Sequence, residues 1–90
     1  MYTYIPRGVC SRRIDIQLDG DTVKDVVFTG GCNGNLNAIS KIITGMPVDH
    51  VIEVFSGNTC GPRPTSCADQ LARALQEAKG APEAQSEAQA

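Results

Sequence analysis

Ile14-Asp15-Ile16-Gln17-Leu18-Asp19-Gly20-Asp21-Thr22-Val23-Lys24-Asp25-Val26-Val27-Phe28-Thr29 is the stretch on which the fold turns. From Ile14 to Leu18 apolar and polar residues alternate strictly, the period of a strand with one buried face. Asp19-Gly20 is a hairpin turn signal, and Val23 to Thr29 is rich in β-branched residues. The stretch therefore predicts a β-hairpin with Ile14, Ile16 and Leu18 on one side and Asp15 and Gln17 on the other. One face of the sheet should meet water and the other should be covered by helices.

Upstream, Tyr2 to Ile5 can add a third strand. Downstream the period changes. Leu36, Ile39, Ile42 and Ile43 fall on one helical stripe that Gly45 can end. Pro47 suits a first helical turn, Val48, Val51, Ile52 and Phe55 repeat the spacing, and Gly57 supplies a stop. Residues 56–65 hold two glycines and two prolines and read as a shaped loop. Ser66-Cys67-Ala68-Asp69 has the form of a capping box, after which Ala68, Leu71, Ala72, Leu75 and Ala78 give a small-residue apolar stripe. The fold class expected is α+β: a small antiparallel sheet of two or three strands, then three helices packed on one face. Beyond Gly80 no large apolar residue is available for burial. The domain is thus expected to span residues 1–80, with 81–90 a disordered tail.

Ninety residues make one domain with a thin core, because a chain this short buries only about 60% of the surface its unfolded form exposes. There is no Trp, and Tyr2, Tyr4, Phe28 and Phe55 are the only aromatics. A staple is expected, and a site that binds only the folded chain supplies one. The net charge of −2 carries no basic block, which argues against nucleic acid as a partner. The N-terminus has no secretory pattern, and no apolar run approaches the roughly 20 residues that span a bilayer. A cytoplasmic chain away from membranes is the expectation, and a reducing compartment turns four thiols towards metal or redox chemistry rather than structural disulfides.

Those thiols are Cys10, Cys32, Cys60 and Cys67. Each sits beside a turn or helix start: Cys10 before the hairpin, Cys32 before the first helix, Cys60 in the Pro-Gly loop, Cys67 in the first turn of the third helix. Helix N-termini offer free N–H donors and partial positive charge to an anionic ligand, which favours Cys32 and Cys67 as thiolates. Arg7, Arg12, Arg13 and Arg63 lie within three residues of Cys10 or Cys60 and can offset a four-thiolate charge, although each is also an ordinary solvated surface charge. The intervals of 21, 27 and 6 residues match no standard zinc finger. In a strands-then-helices layer, however, one sheet edge and three helix-flanking loops fall at the same end. Metal ligation by all four is preferred over a catalytic or sensing dithiol and over inert buried cysteines. The glycines of Thr29-Gly30-Gly31-Cys32-Asn33-Gly34-Asn35 lack a phosphate-loop ending and read as backbone that presents Cys32. His50 reads as a surface residue, and no serine, histidine and acid grouping suggests hydrolysis.

Gly8-Val9-Cys10-Ser11-Arg12, Gly30-Gly31-Cys32-Asn33-Gly34-Asn35-Leu36 and Cys60-Gly61-Pro62-Arg63-Pro64-Thr65-Ser66-Cys67-Ala68-Asp69-Gln70-Leu71-Ala72 together resemble the TSCPD-domain family over residues 1 to about 79, all four characteristic cysteines included. Ala68 stands where that family usually has proline. The resemblance implies an association with ribonucleotide reductases, some of which carry a related C-terminal domain. It does not imply the reductase reaction, since ninety residues lack the barrel, radical site and nucleotide pocket, so a stand-alone enzyme is not expected. The order of elements is also similar to that of the IscU/NifU iron–sulfur scaffold proteins. Cys10, Cys32 and Cys67 fall at that family's cluster cysteines, while Arg12 and Ser66 replace its aspartate and histidine and Cys60 can supply the fourth ligand. These likenesses imply a small metal-binding protein holding zinc or an iron–sulfur cluster, a carrier or scaffold whose protein partner is a ribonucleotide reductase or an iron–sulfur recipient. The alternative is a redox or structural accessory module of a ribonucleotide reductase, with Cys60 and Cys67 cycling between dithiol and disulfide.

Overall fold

The structure, a computed structural model, describes residues 1–31, 33–59, 61–62 and 64–85. Strands β1 (Tyr2–Tyr4), β2 (Ser11–Asp19) and β3 (Thr22–Gly30) precede helices α1 (Asn33–Ile43), α2 (Val48–Phe55) and α3 (Cys67–Lys79), and a 3₁₀ turn (Pro82–Ala84) follows. The sheet is antiparallel in the order β1-β2-β3. The α+β class and the third strand are as the sequence predicts.

The alternation that predicts the hairpin also sets its faces. Ile14, Ile16 and Leu18 are fully buried, with Val23 and Val26 of β3 beside them. The tight turn pairs Asp19 with Thr22. Gly20, first of its two loop residues, takes φ +59°, the sign a type II′ hairpin turn requires there. An irregularity between Gln17 and Leu18 sets Lys24 and Asp25 side by side on the exposed side before the alternation resumes at Val26.

Helix α3 lies on β2 and against α2, whereas α1 lies on β3. Ala74 and Ala78 are fully buried between Leu71, Leu75 and the sheet. Small side chains on this stripe bring the helix close, and burial of the two leucines contributes about 1.5–3 kcal/mol each. Two expectations change. Ile42, placed on the buried stripe of α1, is 68% exposed. Residues 81–85, expected in the disordered tail, are part of the fold: Ala84 is fully buried in the core, Gln85 bridges to Leu18, and the Gln85 amide accepts from Gly20 N at 3.0 Å. Burial of a methyl group needs no large apolar side chain, so composition conceals it. Residues 86–90 lie outside the described residues.

Candidate functional site

The first turn of α3 organises one end of the molecule. Ser66 is its N-cap: Oγ accepts from Asp69 N at 3.1 Å and donates to the carbonyl of Asn58 at 2.7 Å. One hydroxyl thereby satisfies an orphan helix donor and ties down the loop that leads from α2. In a capping box the third helical side chain would reach back to the N-cap N–H. Asp69 instead accepts from Gly57 N at 2.8 Å and from the Thr65 hydroxyl. The Thr65 hydroxyl first, and the Gly57 N–H after it, hold its carboxyl below the ordinary value of 3.8 against the opposing effect of burial, with Arg73 at 3.4 Å assisting.

Gln70 completes the frame. Its Nε2 donates to Thr65 Oγ1 at 3.1 Å, and its Oε1 accepts from Arg7 N at 3.1 Å and from the Tyr4 hydroxyl at 3.3 Å. Gly8, at φ +73°, packs against the methyl of Thr65. The chain that leads to Cys10 is thereby fastened to α3. The buried polar side chains among the described residues are Ser11, Thr65, Asp69 and Gln70, and all four stand around this turn. No buried side-chain nitrogen or oxygen is left without a partner there. Ser66 and Asp69 were legible as a cap. Thr65, Gln70 and Ser11 were not, because nothing local marks a polar residue for burial.

Cys67 is the first residue of α3 and is half-buried, and its Sγ lies 3.3 Å from the hydroxyl of buried Ser11 at the start of β2. Cys10, exposed, lines the same cleft of about 280 Å³ as Cys67, with Val9, Leu36, Ile39 and Ala68 as apolar walls and Asn58 and Thr59 along one side. Cys32 and Cys60 lie outside the described residues, as does Arg63. Their nearest described neighbours in sequence border this end of the fold: Thr59 lines the cleft, and Gly31 packs on Ser11 and Leu36. Among the described residues no three His, Cys, Asp or Glu side chains converge, a set that includes only two of the four cysteines.

The arginines expected near the thiols divide. Arg13 pairs with Asp15 at 2.9 Å, Arg12 extends over Gly30, and Arg7 is exposed. His50 is exposed on α2, as expected. No helix among the described residues is long and apolar enough to cross a membrane.

No curated protein and no solved structure matches the chain. The model of one family does, that of the TSCPD domain, over residues 2–79. Those limits run from the first residue of β1 to the last of α3 and enclose the cleft, both described cysteines and the polar frame around them. The five residues Thr65-Ser66-Cys67-Ala68-Asp69 are the buried hydroxyl, the cap, the thiol, a cleft wall and the clamping carboxylate, and the chain belongs to the TSCPD-domain family.

Proposed function

We propose that this chain is a small metal-binding protein in which Cys10, Cys32, Cys60 and Cys67 hold one centre, and that the centre is an iron–sulfur cluster in preference to zinc. The observation that carries the reading is the joint presence of Cys10 and Cys67 in one cleft, although they come from the two ends of the domain. Thiolates suit both zinc and iron–sulfur clusters, so donor chemistry alone does not choose. Size does. A tetrahedral zinc with Zn–S bonds of about 2.3 Å needs little more room than the sulfurs themselves. An open cleft of about 280 Å³ with apolar walls beside Cys10 and Cys67 leaves room for a bulkier inorganic core.

The chain's own residues have defined tasks in this reading. With Cys67 ligating as a thiolate, the Ser11 hydroxyl 3.3 Å away is the donor of the pair, and hydrogen bonds to ligating sulfurs raise a cluster's reduction potential. Ser66, Asp69 and Gln70 hold the loops that bear the ligands in register with α3. Val9, Leu36 and Ile39 keep the site partly dry. A bound cluster supplies one-electron chemistry or is itself the cargo. The partner proposed is a recipient of that cluster or electron, with a ribonucleotide reductase the candidate that the family resemblance supports.

Anaerobic purification without added metal, followed by iron, sulfide and zinc analysis and an absorption spectrum, tests the proposal. Brown protein with iron and sulfide, both lost on Cys→Ser substitution at any of positions 10, 32, 60 and 67, is the expected result. Colourless protein with one zinc per chain would leave a structural zinc module. Fully folded protein without metal would remove the metal reading and leave the dithiol alternative.

A further inference from the structure

Cys10 and Cys67 belong to segments that the polar frame ties together. Arg7 N donates to Gln70 Oε1 at 3.1 Å and Gly8 packs on the Thr65 methyl, so the chain reaches Cys10 beside the first turn of α3. Ser11, the next residue, has its hydroxyl 3.3 Å from Cys67 Sγ. One residue step and one short side chain therefore connect the two, and the Cys10 Cα lies within about 10 Å of the Cys67 sulfur. Both residues line the same cleft. Cys67 is half-buried and fixed as the first residue of a capped helix, whereas Cys10 is exposed and precedes β2 in a stretch without regular structure. A bridge needs Cα atoms about 4.4–6.8 Å apart, and the irregular residues 7–10 supply that adjustment while β2 and α3 stay in place.

We propose that Cys10 and Cys67 form a reversible disulfide, with a low-molecular-weight disulfide of the glutathione class as the oxidant. The Cys10 thiolate, the exposed one, attacks one sulfur of the oxidant and breaks its S–S bond, which leaves a mixed disulfide on Cys10 and releases one small thiolate. The Cys67 thiolate then attacks the Cys10 sulfur, breaks the mixed disulfide and releases the second. Two protein thiols give up two electrons and two protons, and one small disulfide becomes two small thiols. Excess small thiol runs the same steps in reverse. With Cys10 and Cys67 as ligands, the bridge removes two of the four, so the oxidised chain does not take up metal. That consequence rests on the metal reading proposed above, whereas the disulfide itself does not. The pairing also differs from the dithiol of Cys60 and Cys67 expected from the sequence.

The test is incubation of the full chain, stripped of metal, in glutathione buffers of falling thiol-to-disulfide ratio, then alkylation with N-ethylmaleimide, tryptic digestion and mass spectrometry. Trypsin isolates Cys10 in residues 8–12 and leaves Cys60 and Cys67 together in residues 42–73, because Pro64 protects Arg63. Peptide 8–12 linked to peptide 42–73 is the expected product. Peptide 8–12 alkylated throughout overturns the proposal, as does glutathione left on Cys10 with no link, or a link that persists in Cys67→Ser. Cys32→Ser with Cys60→Ser, checked for fold by circular dichroism, retains only the proposed pair and is expected to lose both thiols and remain a single chain on non-reducing electrophoresis. In urea that unfolds this variant the same buffer is expected to give about tenfold less of the bridge, because the frame that gathers the thiols is gone. Equal yields would show that the fold does not select the pair and would overturn it. Zinc titration of the reduced and oxidised wild-type chains separates the two readings: binding to both overturns the exclusion of metal, and binding to neither refutes the metal reading while the peptide map still decides the disulfide.

Discussion

Replacement of Asp69 tests whether the first turn of α3 clamps the loops around the cleft. The carboxylate is almost fully buried and accepts from Gly57 N and from the Thr65 hydroxyl. Asp69→Ala deletes two hydrogen bonds to a charged group and leaves both donors facing an apolar methyl. At about 1.5–3 kcal/mol per bond, taken at the lower end of that range, the cost comes to about 3 kcal/mol. The Arg73 pair adds only a few tenths, since Arg73 is mostly exposed. A domain of this size has about 5–13 kcal/mol to lose. With a urea slope of about 1.5 kcal/mol/M the midpoint should fall by about 2 M. Asp69→Asn keeps one acceptor for Gly57 and is expected to cost about 1–1.5 kcal/mol. The pH dependence separates charge from shape. The folded carboxyl titrates below 3.8, so between 3.8 and that lower value the unfolded chain binds more protons, and stability rises with pH. The contribution is complete above this window and is lost as pH falls through it, where wild type converges on the Asn variant. Urea unfolding of both proteins at pH 7, 5, 4 and 3 measures the gap. A gap absent at pH 7, or constant down to pH 3, would refute the clamp.

Two further perturbations probe other joints. The Tyr2 hydroxyl donates to Glu77 at 2.6 Å, and that bond, with burial and the carboxylate's charge behind it, pushes the phenol from 10.0 up to about 12. The unfolded chain loses this proton first, so the contribution is present below pH 10 and disappears as pH rises towards 12; absorbance at 295 nm in a Tyr4→Phe background should show the late midpoint, and Glu77→Gln should bring it back, a result contradicted by a midpoint that does not move. Gly31 and Gly20 both have positive φ, but a methyl at Gly31 would lie 3.1 Å from Leu36 Cδ1 and 3.2 Å from Ser11 N, whereas one at Gly20 meets nothing within 4 Å. Gly20→Ala should cost about 1 kcal/mol and Gly31→Ala about 2–4, or roughly 5 °C against 10 °C or more in Tm, and equal losses would show that the approach of the loop to Ser11 is not tight.

Much of this was legible because periodicity reports burial directly. Ile14, Ile16 and Leu18 announce the inner face of β2, and Ser66 before Cys67 announces where α3 begins. The remainder depends on partners distant in sequence. Gln70 reads as one more polar residue on a helix, yet it is buried because Arg7 N and the Tyr4 hydroxyl, more than 60 residues upstream, supply donors for its amide. Ala84 reads as tail, yet it fills the space beside β2 and the end of α3. Ile42 obeys the helical stripe, yet α1 leans mainly on β3 and leaves it 68% exposed. Of the four cysteines expected at one end of the strands-then-helices layer, Cys10 and Cys67 line one cleft and the other two lie outside the described residues. The frame that holds those two there was not legible.

That frame bears on why a thin-cored domain buries four polar side chains at one end. Buried hydroxyls and carboxylates are a poor source of net stability, since each bond replaces one made to water. They are, however, directional, and direction is what ligands carried on loops lack. Cys10 lies outside regular structure, and Cys67 is only the first residue of a helix. Left to apolar packing, the segments that carry them could slide by an ångström at little cost. The bonds from Arg7 N to Gln70, from Gly57 N to Asp69 and from Ser66 to the Asn58 carbonyl each fix a backbone atom of a cysteine-bearing segment to the same helical turn. A site that must present several sulfurs to one centre needs that kind of support. Four of the five residues from Thr65 to Asp69 are therefore not ligands in the proposed function, and the family's motif describes the mounting of a thiol as much as the thiol itself.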